Sequence, residues 1–73
     1  MKGKNVIGPK VRRLRFQKGW SQQELAVKLQ LAGLDIRRSG VGKIEAQLRR
    51  VTDEDLLYLL RVFEVGLEEL LGS

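Results

Sequence analysis

Two adjacent arginines, Arg37 and Arg38, lie near the start of the segment IRRSGVGKIE, residues 36–45. Clustered basic side chains suit a polyanionic partner, either nucleic acid or an anionic membrane surface. The same bias extends further: residues 1–50 carry 13 Lys and Arg against 3 Asp and Glu, whereas residues 51–73 carry 1 against 6. The sequence therefore predicts a basic surface from its first two thirds and an acidic one from its last third. The alternative is ordinary solvation of charged side chains.

The segment is a poor helix former in spite of its helical pattern. Val41, Ile44 and Leu48 recur at i, i+3 and i+7, which indicates a helix with one apolar face. Gly40 and Gly42 each cost about 1 kcal/mol relative to alanine inside a helix, and cations at its positive end cost about 0.3 kcal/mol or more. The unfolding free energy of a chain this small is roughly 4–11 kcal/mol. These residue types therefore require an explanation from packing or from contact with a partner.

The chain has neither cysteine nor histidine. This composition removes disulfides, thiolate zinc sites, histidine general bases and Ser-His triads. We therefore predict no enzymatic activity, no cofactor, no metal site and no small-molecule ligand. Its apolar runs fall short of the roughly 20 residues that span a bilayer, and its N-terminus lacks the apolar core of a signal peptide. A cytoplasmic protein without a membrane partner is expected.

The spacing of apolar residues predicts five short helices and no strand. Residues 1–6 are expected to be flexible, and a first helix begins at Ile7, because Ile7, Val11 and Leu14 share one face. Gly19 is a natural end for this helix. Its other faces are expected to carry most of the cations, Lys10, Arg12, Arg13 and Arg15.

A second helix begins after Ser21, which forms a capping-box pattern with Glu24, and it can end at Gly33. Asp35 is placed to cap the third helix, which is expected to end near residues 46–47. Thr52 caps the fourth helix and starts another capping box. Buried faces are predicted at Leu25, Ala26 and Leu29 in the second helix, and at Leu56, Leu59, Leu60 and Phe63 in the fourth. A fifth helix is expected to close the core with Leu67, Leu70 and Leu71.

The second and third helices, joined by a turn that contains glycine, form a helix-turn-helix pattern. Three segments sharpen this pattern: IGPKVRRLRFQKGWSQQELAVKL, RRSGVGKIE and TDEDLLYLLRVFEVGLEELL. With them, the chain resembles the phage-repressor and Cro-type helix-turn-helix family, also called the XRE family, over almost all of residues 7–71. The resemblance implies an all-α, five-helix, lambda-repressor-like DNA-binding domain over residues 7–73. It further implies a bacterial or phage transcription regulator that binds specific double-stranded DNA, with a recognition helix at about 37–46 in the major groove.

The resemblance also implies roles for individual residues. Arg38 and Ser39 fall where the family reads bases, and an arginine suits a bidentate bond to guanine. Gly40 would let the helix backbone approach the bases. The alternative is that Gly40 or Gly42 makes room for helix 2 to pack at Ala26, and both explanations can hold because the two glycines point to different sides. Arginines at a helix start become favourable once a phosphate lies against them. The expected contacts to the DNA backbone are Gln22, which can also brace a neighbouring side chain, Arg37, Lys43, Arg49 and Arg50.

Two features depart from the family or leave alternatives open. The chain from Leu29 to Glu45 is several residues longer than the usual pattern. Helix 2 is therefore longer or the turn bulges, and either change affects the direction of helix 3. The C-terminal helix could form a homodimer or simply close the core. An alternative function is an antitoxin or protein-interaction module, in which the C-terminal leucines hold a partner protein and DNA binding is secondary.

Overall fold

The computed structural model describes residues 7–71, which form five α-helices and contain no strand. The helices are α1 (Ile7–Lys18), α2 (Gln22–Ala32), α3 (Arg38–Glu45), α4 (Asp53–Phe63) and α5 (Leu67–Leu71). The prediction of an all-α, five-helix fold is confirmed. The prediction of flexibility at residues 1–6 lies outside the described residues, as does the last part of the predicted domain.

Helices α2 and α4 begin with the predicted capping boxes. The Ser21 hydroxyl accepts a hydrogen bond from the backbone N–H of Glu24, whose carboxylate accepts one from the N–H of Ser21, at 3.0 and 2.7 Å. Thr52 and Asp55 make the same reciprocal pair at 3.0 and 3.1 Å. Each box satisfies two N–H groups that have no partner inside the helix. The start of both helices is therefore fixed by residues three apart in sequence.

The connection from α2 to α3 accounts for the additional residues. Helix α2 continues to Ala32 and ends at Gly33, whose φ of 119° lies in the left-handed region that glycine adopts without strain. Leu34 turns under this end and donates its N–H to the Leu29 carbonyl. Gln30 donates from its side chain to the carbonyl of Ile36 at 2.6 Å. The extra length is thus shared between α2 and an ordered connection, 33–37.

Helix α3 begins differently from the prediction. Its N-cap is Arg37 rather than Asp35, and no side chain caps it. The chain at Arg37 is extended, with φ −112° and ψ 172°, so the N-cap lies two residues beyond the expected one. It ends at Glu45, with Ala46 as its C-cap, close to the predicted end.

The core is formed by side chains from every helix and from the α2–α3 connection. Trp20 stacks on Phe63, with ring centroids 5.6 Å apart. In the fifth helix only Leu70 is buried, whereas Leu67 and Leu71 are each 46% exposed, so only one of the three expected leucines closes the core. The buried apolar side chains are Ile7, Val11, Leu25, Ala26, Leu29, Leu34, Ile36, Val41, Ile44, Leu59, Phe63 and Leu70. Helix α3 packs against both α1 and α2, which hold it from behind.

Candidate nucleic-acid interface

Helix α3 has one buried face and one outer face of small and cationic residues. Val41 and Ile44 are buried in the core. Since successive residues are turned by about 100° around a helix, Ser39, Gly42 and Lys43 lie on the opposite side. The exposed residues of the helix and its caps are Arg37, Arg38, Ser39, Lys43 and Ala46. This face is free of large apolar side chains.

The N-terminus of α3 is suited to an anion. The first turn contains no acidic residue, and no side chain accepts from its backbone N–H groups. These N–H groups and the positive end of the helix dipole therefore favour a negative charge. Arg37 and Arg38 are exposed there, and within residues 7–71 neither is in an ion pair. The two arginines add full positive charges at the same end of the helix.

A buried ion pair fixes the other end of α3. Arg15, which is 7% exposed, donates from Nε and Nη2 to the Glu45 carboxylate at 2.7 and 3.0 Å, and from Nη1 to the Trp20 carbonyl at 2.9 Å. The hydrogen bond to Glu45 raises the pKa of Arg15 above its ordinary value, against the opposing effect of burial. The guanidinium therefore stays charged at any ordinary pH. The pair ties α1 to the last residue of α3.

This position of Arg15 corrects the expectation that it lies on an outer face of α1. The spacing contains the signal, because Arg15 follows Val11 at i+4 and Ile7 at i+8 and so shares their buried face. The sequence does not predict Glu45 as part of the site, since its partner lies 30 residues away.

Gln22 completes the same network from the start of α2. Its amide nitrogen donates to Glu45 Oε1 at 3.1 Å. The side chain thus braces a neighbour, as the resemblance implies, and the neighbour is the last residue of α3. The half-buried Gln22 is also next to Gly42, where an added Cβ would lie 3.7 Å from the Gln22 amide. Its contact with the DNA backbone stays a prediction.

The two glycines of α3 have different surroundings. A Cβ at Gly40 would lie 2.7 Å from Cγ1 of Ile36 and 3.0 Å from Nη1 of Arg49, too close for ordinary contact. Gly40 therefore makes room for packing, although its neighbours are Ile36 and Arg49 rather than Ala26. A Cβ at Gly42 would make only ordinary contact. The close approach to DNA expected at Gly40 fits Gly42 better, because Gly42 is the glycine on the outer face.

The loop after α3 holds the two remaining predicted contacts. Arg49 is partly buried and pairs with Asp55, with Nη2 3.3 Å from Oδ1. Asp55 is 3% exposed and also completes the capping box of α4, so Arg49 ties this loop to α4. Arg50 is exposed. A phosphate at Arg49 would have to share its guanidinium with Asp55, whereas no such competition exists at Arg50 among residues 7–71.

The described part of the chain contains neither a cluster of potential metal ligands nor a helix that could span a membrane. Residues 7–71 include no group of His, Cys, Asp and Glu that could hold a metal ion. None of the described helices is long and apolar enough to cross a bilayer.

Comparison with known proteins identifies the family. A family model described as "Helix-turn-helix" matches residues 11–70, which is most of the chain and contains α2, the connection and α3. No curated protein and no solved structure gives a significant match. The matched family binds double-stranded DNA and is not a family of enzymes. The chain therefore belongs to the XRE/Cro-type helix-turn-helix family of DNA-binding regulators.

Proposed function

We propose that this domain binds specific sequences in double-stranded DNA as a bacterial or phage transcription regulator, with α3 in the major groove. The observation that carries the proposal is the outer face of α3, which consists of small and cationic residues. The opposite face of the helix packs against α1 and α2. A side chain of any size at its centre would keep the backbone away from base edges. Because a bacterial or phage regulator acts on DNA in the cytoplasm, we infer that this protein is cytoplasmic.

The interface divides into residues that read bases and residues that hold phosphates. Arg38 donates two hydrogen bonds to a guanine edge, and Ser39 makes a less selective bond. Gly42 lets the backbone approach the bases, a role for which Gly40 is less suited because of its packing. Phosphates are held by Gln22, Arg37, Lys43, Arg49 and Arg50, with Arg50 the most accessible of the loop residues.

Selection of bound fragments from random duplexes at a stated salt concentration tests this proposal. On the selected site, Arg38→Ala is expected to weaken binding by about 1–3 kcal/mol and to relax preference at one base pair. Arg50→Ala is the matched control, because loss of a phosphate contact weakens binding to all sequences alike. If no sequence is enriched, or if Arg38→Ala leaves the selected site bound as before, α3 does not read the DNA.

Salt dependence tests the phosphate contacts separately. With about four to six phosphates neutralised, affinity is expected to fall roughly 10²–10³-fold between 50 and 200 mM salt. Fluorescence anisotropy of a labelled duplex at a series of salt concentrations measures the slope. A flat response would remove the electrostatic basis of the proposal.

We further propose that a second copy of the chain binds through the C-terminal helix. Leu67 and Leu71 are half exposed there. A dimer of this kind would place two copies of α3 about 34 Å apart, one turn of B-DNA. Sedimentation equilibrium of the wild type and of Leu71→Lys tests it. A concentration-dependent dimer that the substitution abolishes supports the proposal, and a monomer at all concentrations contradicts it.

The same exposed leucines favour a second candidate function, the antitoxin or protein-interaction module. In that case Leu67 and Leu71 hold a partner protein and DNA binding is secondary. A partner that co-purifies at stoichiometric yield, and is lost in Leu71→Lys, would favour this candidate. Retention of full site-specific DNA binding by the isolated domain would favour the regulator.

A further inference from the structure

A cavity of about 250 Å³ opens beside the outer face of α3. It lies where three helices meet and is lined by Arg12, Arg15, Gln22, Gly42, Glu45 and Ala46. Helix α3 contributes Gly42 and Glu45 to its walls, and the C-cap of α3 contributes Ala46. The cavity therefore adjoins the surface that we place against DNA, on the side nearest α1.

The charges around the cavity leave one cation uncompensated. Arg15 and Glu45 are paired with each other, and the Gln22 amide also donates to Glu45. Within this set of lining residues, Arg12 has no carboxylate partner, and it is exposed. The residues that line the cavity thus carry a net charge of +1, and they include the Gln22 amide, which is oriented by its hydrogen bond to Glu45. This charge matches the single negative charge of one phosphodiester group.

An exposed aromatic ring holds Arg12 in place. The guanidinium carbon of Arg12 is 5.5 Å from the centroid of Phe16, one helical turn further along α1, and that of Arg15 is 4.7 Å from the same ring. Phe16 is 60% exposed, so much of its apolar ring stays in contact with water rather than packing in the core. The attraction between the ring and a guanidinium favours this position of Arg12, which is free of an ion pair. Phe16 is accordingly a positioning residue for Arg12.

We propose that Arg12 is a further DNA contact, whose guanidinium binds one backbone phosphate seated at this cavity beside Gln22 and Gly42. The inference rests on the proposed function, because a duplex against α3 brings a strand of phosphates past this edge. Arg12 extends the interface from the helix-turn-helix unit to α1. Arg13, its neighbour on the same helix, is exposed but does not line the cavity.

The experiment compares Arg12→Gln with Arg13→Gln on the selected duplex, after thermal unfolding has shown that both variants fold. The two substitutions remove the same charge from adjacent exposed positions. Arg12→Gln is expected to reduce the slope of log affinity against log salt by about 0.9, and to weaken binding roughly five- to tenfold at 0.1 M salt. Arg13→Gln is expected to weaken binding less than twofold. Equal effects of the two variants would overturn the inference.

Ethylation interference identifies the phosphate. One ethylated phosphate that weakens binding of the wild type is expected to lose its effect in Arg12→Gln and to keep it in Arg13→Gln. In the wild-type background, Phe16→Leu is expected to weaken DNA binding. In the Arg12→Gln background, the same substitution is expected to cause no further loss of affinity. An unchanged interference pattern in Arg12→Gln overturns the inference. Arg38→Ala distinguishes failure of this inference from failure of the proposed function. If Arg38→Ala relaxes base preference but Arg12→Gln has the same effect as Arg13→Gln, the proposed function holds and only the contact at Arg12 is contradicted.

Discussion

Helices α2 and α4 begin with complete capping boxes and acidic residues in their first turns, whereas α3 begins at an arginine with no side-chain cap and no acid. The first two helices follow the residue preferences that stabilise a helix start. Helix α3 departs from each of these preferences and contains two glycines as well. The difference supports our proposal that α2 and α4 maintain the fold, whereas the exposed end of α3 binds a ligand.

Tertiary contacts compensate for the weak local sequence of α3. Val41 and Ile44 are almost fully buried, and the Arg15–Glu45–Gln22 network holds the last residue of the helix. Because these contacts come from the core and from the neighbouring helices α1 and α2, the outer face of α3 can carry arginines and a glycine without loss of the helix. The comparison thus predicts that substitutions behind α3 affect stability, and that substitutions on its front improve stability at the expense of DNA binding.

The largest effect is expected from the contact behind α3. Glu45→Ala leaves the charged Arg15 buried without its partner, which costs about 3–5 kcal/mol of unfolding free energy. Urea unfolding followed by Trp20 fluorescence measures this loss. Glu54→Gln, at an exposed position in the first turn of α4, is the control and is expected to change stability by about 0.5 kcal/mol at most. A loss below about 1 kcal/mol in Glu45→Ala would show that the apolar contacts alone hold α3.

A pair of substitutions within α3 distinguishes its two sides. Gly40→Ala places a methyl group 2.7 Å from Ile36 Cγ1, and Ile36 is only 2% exposed and has little room to move. Overpacking of about 1–3 kcal/mol then exceeds the gain of about 1 kcal/mol in helix propensity, so a net loss of up to about 2 kcal/mol is expected. Gly42→Ala makes no clash and is expected to add up to about 1 kcal/mol of stability.

The DNA affinities of the same two variants complete this test. Gly42→Ala is expected to bind the selected duplex about tenfold more weakly, the equivalent of about 1.4 kcal/mol, because its methyl group lies on the outer face. Denaturant unfolding and anisotropy titration measure both quantities on each variant. If Gly40→Ala is the more stable of the two, or if Gly42→Ala binds DNA as the wild type does, the two sides of α3 are not as we describe them.

The smallest effects come from exchanging the capping residues. Arg37→Ser provides α3 with the side-chain cap it lacks and is expected to add about 0.5–1 kcal/mol of stability while weakening DNA binding. Ser21→Ala removes the cap of α2 and is expected to cost about 1 kcal/mol. Thermal unfolding by circular dichroism compares the two. Destabilisation by Arg37→Ser would mean that Arg37 contributes to the fold rather than to the partner.

Part of the candidate site follows from local sequence and part does not. The apolar spacing identifies α3, and its arginines and glycines are evident from the residue types alone. The residue types do not show that Gly40 faces inward, because this depends on where the connection 33–37 places Ile36. Arg49 was expected at the DNA backbone, yet its partner Asp55 becomes visible only when the loop is folded against α4.

The sequence alone determined the number of helices, the two capping boxes and the separation of basic from acidic residues, because each depends on residue types or on neighbours within a turn. The tertiary structure decided which charges are buried, which glycine faces outward, and which cations of α1 line the cavity beside α3. The buried charges and the cavity depend on residues 23 and 30 positions apart that meet only when α1, α2 and α3 pack, and the direction of Gly40 depends on how the connection 33–37 places Ile36. Local sequence cannot specify them, since helix packing sets the distance between such residues.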